Sequence, residues 1–72
     1  MGYNYSKLQG RIVEICGNQG NFADLMGLSK RSLSLKLNNK VVFKQDEIST
    51  ACEVLKLTTE EISLYFFNRK VQ

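Results

Sequence analysis

The chain has 72 residues, of which 43% are hydrophobic, and it carries a formal net charge of +3. This length suffices for one domain, taken as residues 1–72, and excludes two, and the hydrophobic content excludes a disordered chain. The apolar runs are too short to span a membrane and no basic-then-apolar leader opens the chain, so we expect a cytoplasmic protein without a membrane partner.

Helical signals recur along the chain, and proline is absent. Ser6 and Gln9 have the spacing of a capping box, which predicts the start of a first helix, and Gly17 is a natural stop for it. Asn18 is typical of the N-cap of a second helix, which Gly27 ends. The buried side of this second helix is predicted to comprise Phe22, Ala23, Leu25 and Met26.

A third helix is predicted after Ser29, which is a suitable N-cap. Leu33 and Leu37 lie one turn apart on its apolar face. Residues 40–43 are strand-like, but they stand between helices, and we interpret them as an extended loop that Phe43 anchors.

Two further helices are predicted in the last third of the chain. The fourth has an apolar stripe of Ile48, Cys52 and Leu55, with Ala51 at its edge. Thr58 and Glu61 form a second capping box, which opens the fifth helix. The five predicted helices cover residues 6–16, 19–26, 30–38, 45–56 and 59–66.

The basic residues concentrate in the middle of the chain. Residues 1–28 sum to zero and residues 45–72 to −2, whereas residues 29–44 contain five basic side chains and no acidic one. Such a charge run is often only a solvated face. Because this one contains no acidic residue, it indicates a positively charged patch on one side of the protein, and a nucleic-acid phosphate backbone is a common partner of such a patch. The five are Lys30, Arg31, Lys36, Lys40 and Lys44.

The spacing of small residues around this basic segment predicts a helix-turn-helix. Two helices that cross at a steep angle through a short turn approach each other closely. Ala23 permits that approach, and Gly27 supplies a positive φ at little cost. The unit reads Gln19-x3-Ala23-x3-Gly27 followed by Ser29.

Chemistry-bearing residues are few. Histidine is absent, and Cys16 and Cys52 have no partner at metal-ligand spacing, so we expect no metal and no other cofactor. Both cysteines are interpreted as small buried hydrophobes. No phosphate-cradling glycine-rich loop and no tuned acid–base pair is apparent, so the sequence predicts that the protein is not an enzyme.

The segment from Asn18 to Lys40 resembles the helix-turn-helix of the lambda-repressor and Cro superfamily of bacterial and phage regulators; it reads NQGNFADLMGLSKRSLSLKLNNK. The amino-acid sequence is especially similar to those of the small Cro-like regulators of Gram-positive temperate phages. The resemblance implies an all-α, five-helix domain whose third helix reads DNA. It also implies a bacterial host cell. Some of these regulators are antirepressors that bind the phage repressor.

Site residues follow from this resemblance. An arginine at the start of the recognition helix, here Arg31, suits guanine, whereas Leu35 departs from the usual polar residue and suits either a thymine methyl or a protein partner. The predicted DNA-binding residues are Asn18, Gln19, Lys30, Arg31, Ser32, Ser34, Leu35, Asn38 and Lys40.

Two functions therefore remain open. In the first, the protein binds double-stranded operator DNA through helix three, with a homodimer as one arrangement. In the second, it is an antirepressor, or modulator of repression, that binds the DNA-binding domain of the cognate phage repressor and alters its promoter occupancy. The acidic last third of the chain suits a repressor's basic surface.

Overall fold

The first helix, α1, begins at Ser6 in the computed structural model, which describes residues 2–69. Within those residues the fold is all-helical, and the predicted five helices are confirmed with boundaries that differ by at most one residue, apart from the start of the last. A 3-10 turn at Thr59–Glu61 precedes α5. The helices are α1 (Ser6–Cys16), α2 (Gln19–Met26), α3 (Lys30–Leu37), α4 (Gln45–Leu55) and α5 (Ile62–Phe66).

One apolar core joins the helices, because α2 packs against α1, α3 and α4, and α1 packs also against α4 and α5. Phe22 and Phe66 are its largest fully buried side chains. Ala51, which was expected at the edge of a stripe, is instead fully buried. The buried apolar residues are Tyr5, Leu8, Ile12, Phe22, Ala23, Leu33, Leu37, Ala51, Leu55 and Phe66.

Some predicted core positions are wrong. Leu25 is 60% exposed, because it lies about 100° around α2 from the face that Phe22 and Ala23 present to the core. Ile15 lies at the edge of the α1 stripe and is 38% exposed. Cys16 and Cys52 are half-buried rather than buried.

The helix N-terminal caps predicted from the sequence are confirmed at three of four positions. The side-chain oxygens of Asn18, Ser29 and Thr58 accept the backbone N–H groups of the third residue after each. The capping box at Ser6 is wrong, because Ser6 is already the first residue of α1. Its N–H donates to Asn4 Oδ1 instead, at 2.9 Å.

The N-terminal segment is tied to two distant parts of the chain. Asn39 Oδ1 accepts the Tyr3 N–H and Asn39 Nδ2 donates to the Tyr3 carbonyl, each at 2.9 Å. Tyr3 also forms an isolated β-bridge with Arg69. These contacts hold residues 2–5 between the end of α3 and the end of α5.

Residues 40–43 form an extended loop, and Phe43 anchors it as expected. The Phe43 ring meets the rings of Tyr5 and Phe66 edge-on, with centroids 5.5 and 5.3 Å away. Lys70, which was counted in the charge of the last third, lies outside the described residues. Among residues 2–69, no helix has the length and apolar character needed to cross a bilayer.

Candidate functional site

The turn between α2 and α3 fixes how the basic segment is presented. Gly27 adopts a left-handed conformation with φ +72°, and the Leu28 N–H donates to the Ala23 carbonyl at 2.9 Å. Ser29 Oγ then accepts the Ser32 N–H and caps α3, so three residues separate the end of α2 from the start of α3. Ala23 and Leu33 are fully buried, as expected for two helices in close contact.

The structure brings the starts of α2 and α3 together. Gly20 lies in the first turn of α2, and a Cβ atom built on it would stand 2.8 Å from Lys30 Cε and 3.3 Å from Asn18 Oδ1. The stem of Lys30 therefore lies across the first turn of α2, beside its cap. No signal in the sequence pointed to this contact, because it depends on the crossing of the two helices.

Eight of the nine predicted site residues divide into two groups. Four side chains have local partners: Asn18 caps α2, Ser32 Oγ accepts from Ser29 Oγ at 3.1 Å, and Asn38 Nδ2 donates to the Ser34 carbonyl at 2.8 Å and to Ser34 Oγ at 3.4 Å. The others are exposed and, among the described residues, make no side-chain hydrogen bond or ion pair. These are Gln19, Lys30, Arg31 and Lys40.

Leu35, which was predicted to suit a thymine methyl or a protein partner, belongs to neither group, because it is half-buried. Its carbonyl accepts the N–H groups of Lys40 and Val41, at 2.8 and 3.3 Å, and so ends α3 against the following loop. That loop exposes Val41 by 44% and Val42 by 78%. Sequence reasoning missed this pair, although two adjacent valines between lysines are an available signal.

Lys36 does not belong to the exposed basic surface. Its side chain is 6% exposed, and Nζ lies 3.0 Å from Glu47 Oε1. Nζ also donates to the Val42 carbonyl at 3.2 Å and lies 5.9 Å from the centre of the Phe43 ring. The charge pattern had counted five cations in residues 29–44. Because Lys36 is buried and paired with Glu47, only four of these cations are exposed on the surface.

Glu47 is held as a carboxylate by its neighbours. Burial by itself raises its pKa, but the Lys44 N–H, which donates to Oε1 at 2.8 Å, and the Lys36 ammonium together hold the pKa below its ordinary value of 4.5. Glu47 thus caps the start of α4 and pairs with α3 through the same oxygen. Glu47 therefore does not contribute to the exposed acidic surface of α4.

The two cysteine thiols are half-buried in the fold. Burial raises the pKa of both Cys16 and Cys52, which disfavours the thiolate form. Within residues 2–69, no group of three histidine, cysteine or carboxylate side chains could hold a metal ion.

The second surface feature is a groove of about 240 Å³ at the other end of α3. Its floor is aromatic, and the rings of Tyr3 and Phe67 meet edge-on at 5.7 Å. Val42 and Phe67, both exposed, belong to its lining. We call it the aromatic groove; its lining residues are Gly2, Tyr3, Tyr5, Asn39, Val42, Phe43, Ile48, Phe66 and Phe67.

The fold and these surfaces define a small all-helical domain with a polar face on α3 and an aromatic groove at the C-terminal end of that helix. The chain belongs to the family described as "Protein of unknown function (DUF739)", whose model matches residues 1–69.

Among solved structures, the chain is similar to the modulator of repression of the temperate bacteriophage TP901-1 from Lactococcus lactis. The identity is 57%, the match covers 100% of this chain and 97% of that chain, and the TM-score is 0.82. A comparison with curated proteins finds no match.

Proposed function

We propose that this protein is a modulator of repression that binds the cognate repressor of a temperate phage. The observation that carries the proposal is the 57% identity to the TP901-1 modulator over the whole chain. More than half of all side chains are shared across two chains of nearly the same length, so shared surface residues are expected as well as a shared core. This likeness favours a repressor partner over operator DNA.

The part of the repressor that suits this chain is its DNA-binding domain. The outer stripe of α4 is exposed at positions one turn apart and carries two carboxylates with no basic residue between them: Asp46, Ser49, Thr50 and Glu53. A surface that reads DNA is basic, and an acidic stripe attracts it and opposes a wrong partner of like charge. Binding there would alter the repressor's occupancy of its promoters.

Size-exclusion chromatography with the cognate phage repressor tests the proposal. We expect a stable heteromer and expect the reversal Glu53→Lys to weaken it. The reversal Glu60→Lys, at an exposed acid outside α4, is the matched control and should leave the complex intact. Separate elution of the two wild-type proteins would end the proposal.

Operator binding through α3 is a second candidate, and the exposed cations favour it. Lys30, Arg31 and Lys40 are exposed and form no ion pair among the described residues, and the uncharged Gln19 is exposed as well. The weakness of this candidate is the small number of cations, because Lys44 is the only other exposed one in the basic segment. Phosphate contacts supply a large share of the affinity for DNA, so a homodimer would strengthen binding by doubling the number of cations at the interface.

A mobility-shift titration with the phage regulatory region at low salt tests this second candidate. Arg31→Ala should weaken specific binding, because an arginine paired with guanine contributes about 1–3 kcal/mol of discrimination. Gln19→Ala and Lys40→Ala should instead weaken binding to every sequence, and the loss of the Lys40 charge should flatten the salt dependence. No shift at micromolar protein would exclude operator binding.

A further inference from the structure

We infer that the aromatic groove receives an apolar side chain of the repressor, and that Val42 and Lys40 on its neighbouring loop fix this contact. The inference rests on the proposed function and deepens it by naming the surface. We call residues 40–44 the valine loop. It lies between α3 and α4 and carries Lys40, Val41, Val42, Phe43 and Lys44.

The apolar surface here is contiguous rather than scattered. Val42 is 78% exposed and Phe67 is 47% exposed, and both line the same groove. Singly exposed apolar residues are normal on protein surfaces, but apolar residues gathered around a concave site mark interaction surfaces. The groove, at about 240 Å³, is smaller than the roughly 300–1,000 Å³ of typical small-molecule pockets, so a protein side chain is the better occupant.

The valine loop is held rigidly in place. Lys36 Nζ donates to the Val42 carbonyl at 3.2 Å, and the N–H groups of Lys40 and Val41 both donate to the Leu35 carbonyl. Phe43 is half-buried and packs edge-on against the Tyr5 and Phe66 rings, and the Lys44 N–H donates to Glu47 at 2.8 Å. Fixing a loop in advance lowers the entropy cost of binding. The buried Lys36 charge therefore holds an exposed valine in a defined position.

Charge indicates the chemistry of the partner segment. Lys40 and Lys44 stand at the two ends of the valine loop, are exposed, and form no ion pair within residues 2–69. An apolar residue that enters the groove with a carboxylate beside it would satisfy both features. The repressor segment we expect is thus an exposed aromatic or aliphatic side chain flanked by acidic residues.

Isothermal titration of the repressor with Val42→Ser and with Val13→Ser tests the inference. Both positions are exposed valines, at 78% and 54%, but Val13 lies on α1, outside the groove lining. Val42→Ser should raise Kd by about tenfold or more, as expected at an interface anchor, and Val13→Ser should change it by less than about twofold. Lys40→Glu should also weaken the complex. Because Val42 is exposed, its replacement should leave the thermal unfolding midpoint unchanged.

The outcomes separate the inference from the proposed function. If wild type binds the repressor and Val42→Ser binds equally well, or if Val13→Ser is equally damaging, the groove is not the contact and the inference is overturned while the proposed function stands. If wild type does not bind, the proposed function fails and the inference fails with it. A homodimer by sedimentation velocity that Val42→Ser dissociates would assign the groove to a second copy and would also overturn it.

Discussion

The ion pair between Lys36 and Glu47 joins the end of α3 to the first turn of α4. Its two side chains are 6% and 16% exposed, so water screens the pair little. A buried ion pair is weak evidence for net stability, since desolvation offsets much of the attraction, but removal of one partner leaves a charge without compensation. At this site the pair also determines where the valine loop lies, because Lys36 contacts both Glu47 and the Val42 carbonyl.

Replacement of Lys36 by methionine should lower the free energy of unfolding by about 3 kcal/mol, because Glu47 is left in a largely buried site without its ammonium partner. The double replacement Lys36→Met with Glu47→Leu should recover most of this loss, since an apolar pair needs no compensation. Urea denaturation measures both. Lys40→Met is the control for an exposed lysine and should change stability by less than about 0.5 kcal/mol. Equal effects at residues 36 and 40 would contradict the burial of the pair.

Acid should destabilise the fold in part through Glu47. Burial raises the pKa of this carboxyl, yet its hydrogen bond from Lys44 and its pairing with Lys36 hold the folded-state pKa below 4.5. A lowered folded pKa contributes stability that is present above the unfolded pKa and lost as the pH falls through the folded value. In Glu47→Gln the free energy of unfolding should therefore fall less steeply between about pH 5 and pH 3 than in wild type. A wild-type slope in this variant would refute the assignment.

Most helix boundaries could be predicted because side chains or glycines at the helix ends provide for the backbone groups that lack a hydrogen-bond partner within the helix. Asn18, Ser29 and Thr58 each provide an oxygen for a backbone N–H, and such caps are local features that the sequence displays directly. The capping box predicted at Ser6 was wrong because Asn4 Oδ1, rather than the Gln9 side chain, accepts the Ser6 N–H. Residue spacing alone does not resolve such a competition.

A matched pair of serines tests the caps. Ser29→Ala removes the oxygen that accepts the Ser32 N–H, so it should lower the free energy of unfolding by about 1 kcal/mol. Ser6→Ala, at an exposed first-turn position without a capping bond, should be within about 0.5 kcal/mol of wild type. Chemical denaturation of both variants gives the comparison. A larger cost at Ser6 than at Ser29 would contradict the observed start of α1.

Two glycines should respond in opposite ways to alanine. Gly10 lies in the middle of α1, and a Cβ there would meet no atom within 4 Å, so Gly10→Ala should stabilise the protein by about 0.5–1 kcal/mol through helix propensity. Gly27 has φ +72° in the turn before α3, and Gly27→Ala should cost about 1 kcal/mol or more. Thermal unfolding should show a raised midpoint for the first variant and a lowered one for the second. The same sign for both would contradict the turn geometry.

At the scale of the whole molecule, two surfaces differ in how far they could be predicted from the sequence. The polar face of α3 could be derived from spacing and charge, because every residue involved belongs to one continuous segment. The aromatic groove could not, since Tyr3, Phe43 and Phe67 are distant in sequence and meet only after the chain folds. The pairing of Lys36 with Glu47 was hidden for the same reason, and it reduces the exposed basic surface that favoured DNA. Membership of the lambda-repressor and Cro superfamily stays a prediction.

A repressor complex is feasible for a molecule of this size. A stable interface buries roughly 800 Å² on each partner, which is about one sixth of the 4984 Å² accessible surface of this protein. The valine loop leads directly into α4, and Val42 and Phe43 of the loop and Ile48 of α4 all line the aromatic groove.

Isothermal titration of wild-type protein into the cognate phage repressor tests the central claim most directly. We propose that this protein modulates repression by direct contact with the repressor. We therefore predict a saturable heat of binding, with a Kd for the repressor at or below about 1 μM, equivalent to a binding free energy of about −8 kcal/mol. The repressor preparation is first checked for binding to its own operator. The absence of any heat at tens of micromolar, from a repressor that still binds its operator, would contradict the account.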